Sequence, residues 1–390
     1  MRGALRQRPW LMALAIYAAS RGVSSLLLGT MFAVATASGW TFASHRSNPT
    51  FFTFSGSWDA SFYRTIATRG YPSVLPTDAS GNVVPNPWAF LPVFPGIVRA
   101  VSTVTGLDFY PAGVLVATVF GAGAALMLFL LLRQRVDERR ALFAVALFCV
   151  GPLGFVLQTA YAESTFLFFL FASLWALVTR RYLLLVPFAV VAAFTRPGVL
   201  ALALALGVHF AVRWWQSRSR GAPFPVGDRV RIVVAAAVVS VAGLAWPVIA
   251  ARATGRPDAY LDTELSWWVG FVGRRHFAPL TPWFTMASTY LGALGILLVA
   301  AVIVAAAWWL TRPGVRSLGH EIVGFAGAYL LYLVAVFLPQ QSLFRLLMPV
   351  APLFGAEVFS RGRRRRILLV ASSIALQAAA VVLLWFVGYP

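Results

Sequence analysis

Few residues in this chain are equipped for chemistry, and they fall into three groups. The first is acidic. Asp59, Asp78, Asp108, Glu163, Asp258, Asp262 and Glu264 lie in or beside stretches that interrupt the apolar runs, and a carboxylate in such a place can take a proton from a hydroxyl group. The second is cationic. The 32 basic residues are all arginine, and Arg21, Arg196 and Arg345 lie inside or at the end of apolar runs. An arginine at the centre of a membrane helix costs about 2.5 kcal/mol or more, so each calls for a partner or a task. Phosphate is the anion that the planar guanidinium fork suits best at Arg196 and Arg345, with snorkelling to the interface as the alternative for Arg345, and a structural partner is expected for Arg21. The third group is small. His45, His209, His276 and His320 are scattered without zinc-ligand spacing, and Cys149 is the only cysteine, so no metal site and no intrachain disulfide are expected. Neither a G-x-G-x-x-G turn nor a D-x-D clamp for a nucleotide sugar is present.

The elements that must position these residues are membrane helices. Hydrophobic residues make up 60% of the chain and charged ones only 11%, which excludes a soluble domain. The net charge of +20 is carried by short arginine runs between apolar stretches, so it reports topology and not nucleic-acid binding. Spans of about 20 residues are predicted from Trp10 to Val34, Tyr110 to Leu132, Ala141 to Leu157, Ser164 to Thr179, Ile232 to Ala251, Trp283 to Leu310, Ile322 to Leu338, Leu346 to Phe359 and Ile367 to Val387. Arg2, Arg6 and Arg8 before the first stretch resemble the start of a secretory signal, but the stretch is too long for one and is read as a span that stays attached. Tyr182 to Val212 is interrupted by Thr195-Arg196-Pro197-Gly198 and reads as one kinked helix or two short ones. Two segments place Arg213, Arg218, Arg220, Arg312, Arg316 and the run Arg363 to Arg366 all in the cytoplasm, and the positive-inside rule selects that choice. The expectation is an all-α polytopic membrane protein of about eleven transmembrane segments, N-terminus in and C-terminus out. It forms a single domain over 1–390, with outward loops over 35–109 and 252–282 and shorter outward turns at Gln158 to Glu163 and Pro339 to Phe344.

The first outward loop is too long to be idle. Ser57 as N-cap, Gly70 as stop and Pro72 beyond it predict a short interfacial helix that includes Trp58 and Asp59 in its first turn. Trp58, Phe62 and Ile66 recur at helical spacing and would lie on the membrane surface, with Asp59 and Tyr63 on the adjacent face away from lipid. From position alone, Asp59 is a first-turn carboxylate complementing the helix dipole or a general base at the membrane boundary. Glu163, which opens a span, divides in the same way between dipole partner and sugar ligand. A second piece, Asn86 to Arg99, repeats the aromatic and proline character and would serve as an interfacial anchor if it stood alone. His276 follows Arg274-Arg275 in the second long loop and could contact phosphate or simply be solvated. Trp267, Trp268 and Trp283 suit the aromatic belt.

Taken in order, Trp58-Asp59, Tyr63, Ile66-Ala67, Gly70-Tyr71-Pro72 and Ala89-Phe90-x-Pro92-x-Phe94-Pro95 resemble the first-loop signature of the PIG-V-like mannosyltransferases of the GT-C superfamily. Ala160-Tyr161-x-Glu163-Ser164, Thr195-Arg196-Pro197-Gly198 and Phe344-Arg345-Leu346-Leu347-x-Pro349 extend the resemblance from Trp58 to Pro349. It implies a GT-C-like fold and an inverting transferase that uses polyprenyl-phosphate-mannose, with Asp59 at the position of the family's loop-one aspartate. Arg64 matches no fixed family residue.

That chemistry suits the residues. A phosphate leaving group is already anionic and needs arginine more than an acid. One carboxylate then suffices to deprotonate the acceptor hydroxyl, where a glycosidase normally needs two. The expected site set is Asp59 as base, with Trp58, Tyr63, Glu163, Arg196, Arg345 and His276 binding substrate and no cofactor. The implied partners are the donor lipid, a glycolipid or secreted acceptor and membrane lipids. The implied location is a bacterial plasma membrane with the site facing outward. The rival readings are a transferase for another polyprenyl-phosphate sugar and a membrane lipid flippase, although the paired interrupted helices of transporters are represented here by one interruption only.

Overall fold

The computed structural model describes residues 8–41 and 49–388. His45, Arg2 and Arg6 lie outside the described residues. Within them the chain is helical: α1 (Pro9–Ala37), α2 (Ala60–Arg69), α3 (Val93–Thr105), α4 (Phe109–Leu132), α5 (Glu138–Val150), α6 (Glu163–Val178), α7 (Tyr182–Ala193), α8 (Leu200–Arg220), α9 (Val226–Thr254), α10 (Ala259–Ser266), α11 (Pro282–Leu310), α12 (His320–Val336) and α13 (Arg363–Ala380), joined by shorter turns. The extended pairing among the described residues is one isolated bridge, Thr77 with Val83. Five helices, Pro9–Ala37, Phe109–Leu132, Val226–Thr254, Pro282–Leu310 and Arg363–Val387, are long and apolar enough to cross a membrane. Four shorter apolar helices, α3, α6, α7 and α12, accompany them. The chain is thus an all-helical integral membrane protein.

The interruption at Thr195-Arg196-Pro197-Gly198 is a true break between α7 and α8. Pro197 has no N–H to donate, Gly198 turns the chain at φ +118, and a Cβ there would sit 3.0 Å from the Tyr329 ring. Two predicted spans differ from expectation. Ala141 to Leu157 is α5 followed by Gly151, Pro152 and a 3₁₀ turn over Gly154–Gln158. Leu346 to Phe359 is not an α-helix: Leu343–Leu346, a 3₁₀ stretch over Met348–Gly355 and Glu357–Ser360 follow one another, because Pro349 and Pro352 remove the N–H groups that a continuous helix needs.

The chain divides into two compact units, one of Met1–Thr68, Val93–Arg181 and Gln341–Pro390, the other of Arg69–Pro92 and Tyr182–Gln340. The long first loop therefore contributes to both. In the first unit a buried polar knot joins α1 to the end of α5. Arg21 donates to the carbonyls of Gly154 (2.8 Å) and Cys149 (2.9 Å), and Gln377 accepts from Ser24 (2.9 Å) and donates to Gly151 O (2.8 Å). Arg21 is accordingly structural: it satisfies carbonyls that the end of α5 leaves without helical partners.

In the second unit the loop segment is core. Tyr71 stacks on Trp88 at 4.6 Å, and Trp246 lies 5.1 Å and 5.3 Å from these rings. The indole of Trp88 donates to Pro72 O, that of Trp246 to Trp88 O, and the Tyr71 hydroxyl to Phe90 O. The anchor expected on the membrane surface is therefore a folded plug: Trp88 is 3% exposed, and the Asn86 amide is tied to Thr263 at 2.9 Å. Aromatic burial with every polar edge satisfied explains why this stretch holds its shape with a 3₁₀ turn, Pro87–Ala89, as its regular element.

Because α7 has 12 residues it rises only about 18 Å, less than the hydrocarbon thickness, so sidedness needs a direct test. The sole native cysteine, Cys149, is buried, which leaves introduced cysteines as clean reporters. Cysteines placed beside Arg218 and Arg364 are expected to be shielded from an impermeant external thiol reagent, and one beside Asp78 to be labelled. External labelling beside Arg218 would reverse every later loop.

Candidate active site

The first unit gathers Asp59, Glu163 and Arg345 from three distant parts of the chain. Asp59 immediately precedes α2, where its carbonyl accepts from the N–H groups of Phe62 and Tyr63. Glu163 is the first residue of α6, and Arg345 lies in the short helix Leu343–Leu346. Arg345 Nη1 stands 2.6 Å from Asp59 Oδ2 and 3.3 Å from Glu163 Oε1, so one nitrogen bridges two carboxylates. The side chains are 10% (Arg345), 15% (Asp59) and 3% (Glu163) exposed, which singles out Asp59 as the acid that a ligand could still reach. Asp59 Oδ1 makes no hydrogen bond to the described residues. The Arg345 Nε–H is buried without a partner among them.

Tyr161 is the floor of this cluster. Its ring lies 5.3 Å beneath the Arg345 guanidinium, and its hydroxyl accepts from the Asp59 N–H at 3.2 Å. Burial first, and then the nearby Asp59 charge, push the Tyr161 hydroxyl well above its usual range, so it stays protonated. Trp385 braces the other side: its ring is 5.2 Å from Tyr161, its indole donates to Phe54 O at 3.0 Å, and its carbonyl accepts from the Trp58 indole at 2.9 Å. The Ala160 N–H closes the frame by donating to Ser55 O.

Trp58 holds a backbone conformation that a side chain rarely adopts, φ +55, one residue before Asp59. Such a conformation costs about 1–3 kcal/mol and persists only where the surroundings over-determine it, here through the Trp385 and Tyr161 contacts on either side of the peptide. The expected face of α2 is corrected by this anchoring. Of the stripe, the Trp58 indole donates to Trp385 O and Ile66 is buried against protein, while Phe62 is half-buried; Tyr63, on the adjacent face, is 2% exposed and packs edge-on to Phe94 at 5.1 Å. Ser57 does not cap α2 either, since its hydroxyl donates back to Phe54 O.

Of the expected site residues, Trp58, Asp59, Tyr63, Glu163 and Arg345 come together in the first unit. Arg196 and His276 belong to the second. Arg196 follows Thr195 in the break after α7, within electrostatic reach of Tyr332. His276 is exposed on a groove of about 320 Å³ lined also by Arg256, Arg274, Arg275 and Asp262. In that groove Arg256 pairs with Asp262 (2.9 Å) and Arg274 with Asp78 (2.8 Å). Asp78 is a turn former, held below the usual carboxylate range first by the Asn82 N–H and also by Ser80 and Arg274. Trp385 and Ser55 carried no signal in the sequence. Tyr161 carried one, as a member of the motif Ala160-Tyr161-x-Glu163-Ser164, but its contact with Asp59 spans 102 positions.

No protein-family model matches the chain, and no curated protein does. Solved structures are similar at low identity. ArnT from Cupriavidus metallidurans bound to undecaprenyl phosphate matches 86% of this chain at 12% identity with a TM-score of 0.47, and its apo state matches 94% at 14% identity and 0.45. The Archaeoglobus fulgidus oligosaccharyltransferase in complex with Zn and sulfate matches 96% at 13% identity and 0.45. The chain spans 60%, 65% and 53% of the length of these structures, respectively.

The bridging geometry gives Arg345 a structural role. Arg345→Ala leaves two partly buried carboxylates facing each other, a change that costs about 3–5 kcal/mol for a buried pair. It is expected to lower the melting temperature in detergent, and Glu163→Gln added to it should restore part of the loss by removing one charge. A double variant no more stable than the single one would show that the two carboxylates do not share Arg345.

Proposed function

We propose that the chain is an inverting glycosyltransferase of the GT-C kind that moves mannose from polyprenyl-phosphate-mannose to a hydroxyl group of a glycolipid or secreted acceptor on the outer face of a bacterial plasma membrane. The observation that carries this reading is the state of the Asp59 carboxylate. One oxygen is fixed by Arg345 at 2.6 Å, the adjacent backbone N–H rests on Tyr161 at 3.2 Å, and the second oxygen is left to act. It is supported by the ordered resemblance from Trp58 to Pro349.

The acceptor hydroxyl gives its proton to Asp59 Oδ1 as its oxygen attacks the anomeric carbon from the face opposite the phosphate. The bond from that carbon to the phosphate oxygen breaks, and polyprenyl phosphate departs as an anion, so no second carboxyl group has to donate a proton. Arg345 orients the base and supplies positive charge beside it, which suits a departing phosphate. Glu163 holds the far side of Arg345. Arg196 and His276 are further candidates for phosphate contact, as residue types suited to it.

Incubation of purified protein with polyprenyl-phosphate-mannose and a glycolipid acceptor is expected to release polyprenyl phosphate and lengthen the acceptor. A flippase would relocate the lipid without releasing it, and a transferase for another sugar would respond only to that donor, for example a polyprenyl-phosphate arabinofuranose. Asp59→Asn keeps shape and hydrogen bonding but cannot take the proton, so turnover should fall roughly 10²-fold to 10⁴-fold with the protein still folded. Asp59→Glu should restore little, because one methylene shifts the carboxylate by about 1 Å. Asp78→Asn and Asp108→Asn should keep most activity. Near-normal turnover by Asp59→Asn would remove it as the base.

A further inference from the structure

The second unit assembles a buried cluster that the proposed chemistry does not use. His209 on α8 meets His320 and Glu321, the first two residues of α12, while Tyr182 at the start of α7 stands behind. His209 Nδ1 is 2.8 Å from His320 Nε2 and 3.9 Å from Glu321 Oε1, and His320 Nδ1 is 3.5 Å from Glu321 Oε2. His209 is 1% and Glu321 5% exposed. One ligand atom from each of the three residues lies within 4.8 Å of the others.

We propose that His209, His320 and Glu321 bind one first-row divalent cation of the zinc type, which clips α8 to the start of α12. Two imidazoles and one carboxylate are the donor set that zinc and its neighbours favour, and one that magnesium or calcium does not. Two ligands each about 2.1 Å from a tetrahedral ion stand about 3.4 Å apart. The carboxylate-to-imidazole separations of 3.5 Å and 3.9 Å are close to that and longer than ordinary hydrogen bonds.

The support behind the cluster suits a ligand. Tyr182 Oη is 3.1 Å from His209 Nε2 and already accepts from Arg213 Nη1 at 3.4 Å. With the proton on Nε2, His209 donates to Tyr182, the outer contact by which proteins orient a metal-binding imidazole, and its Nδ1 lone pair accepts from His320 Nε2–H at 2.8 Å, a hydrogen bond that a cation would replace. Arg213 opposes a cation by its charge, but its hydrogen bonds go to Tyr182 and to Pro223 O (2.9 Å). The 28% exposure of the His320 side chain supplies an entry path.

The test uses full-length protein with a tag free of histidine, stripped with a chelator and titrated with Zn²⁺ and, separately, with Co²⁺. Elemental analysis of the zinc-loaded protein should find roughly one equivalent per chain, and Co²⁺ should give saturable visible absorption. His320→Ala and Glu321→Gln should each weaken the Co²⁺ titration at least about tenfold and abolish the rise in melting temperature that Zn²⁺ gives the wild type. His320 is the better first variant, because its side chain is partly exposed while His209 is buried and its loss could unfold the unit. Absence of saturable Co²⁺ absorption in the wild type, or titrations unchanged in both variants, would overturn the proposal and leave a hydrogen-bonded network. Neither result depends on whether the chain transfers a sugar.

Discussion

One arginine nitrogen between two carboxylates is the constraint around which the first unit is arranged. Arg345 comes from a proline-rich stretch near the end of the chain, Asp59 from the first loop and Glu163 from the start of α6. None of the three is tolerable alone at such burial, since an unpaired charge there costs several kcal/mol. Together they share one nitrogen of Arg345, and Asp59 is the more exposed of the two acids, so the proposed base is the accessible member of the set.

Pairing charges sets distances, but aim comes from the backbone, and here the aromatic frame matters. Trp385 holds Phe54 O by its indole and Trp58 by its carbonyl, while Tyr161 supports Asp59 N–H and underlies Arg345. The unfavourable backbone of Trp58 is thereby held just where a carboxylate must project at a defined angle. Behind that frame, Arg21 and Gln377 secure the chain between Cys149 and Gly154, which leads directly into the turn that carries Tyr161 and Glu163. Membrane helices alone would not give this precision; the polar knot at the end of α5 does, because each of its bonds fixes a carbonyl that helix geometry leaves open.

How much was readable depended on the range of the interaction. The apolar runs of α1, α4, α9 and α11 were legible because a membrane span is a local property of about 20 residues. The break at Pro197-Gly198 was legible because both residues constrain their own backbone. The run from Leu346 to Phe359 misled for the opposite reason, since its hydropathy is that of a span while Pro349 and Pro352 forbid the helix. Asp59, Glu163 and Arg345 were each suspect by type, but their meeting was not readable, because Arg345 and Glu163 are 182 positions apart. The same holds for His209 and His320, 111 positions apart, which looked scattered until the fold of α8 and α12 brought them to 2.8 Å.

The remaining acids make clear why type alone could not select a base. Asp78 is spent on its own turn and on Arg274, and Asp262 on Arg256. Asp108 and Asp258 sit exposed at helix starts, Asp108 before α4 and Asp258 before α10, where a carboxylate meets only solvent and a helix dipole. Glu264 shares a hydrogen bond with the buried Tyr260. The contacts of Asp108, Asp258 and Asp262 end within their own loop or helix, while Asp78 reaches Arg274, 196 positions away, with both of its oxygens engaged. Asp59 differs because its partners, Arg345 and Tyr161, reach it from elsewhere in the chain and hold it without consuming both of its oxygens. A carboxylate that the fold secures through long-range contacts while leaving one acceptor unengaged suits the role of base that we propose for it.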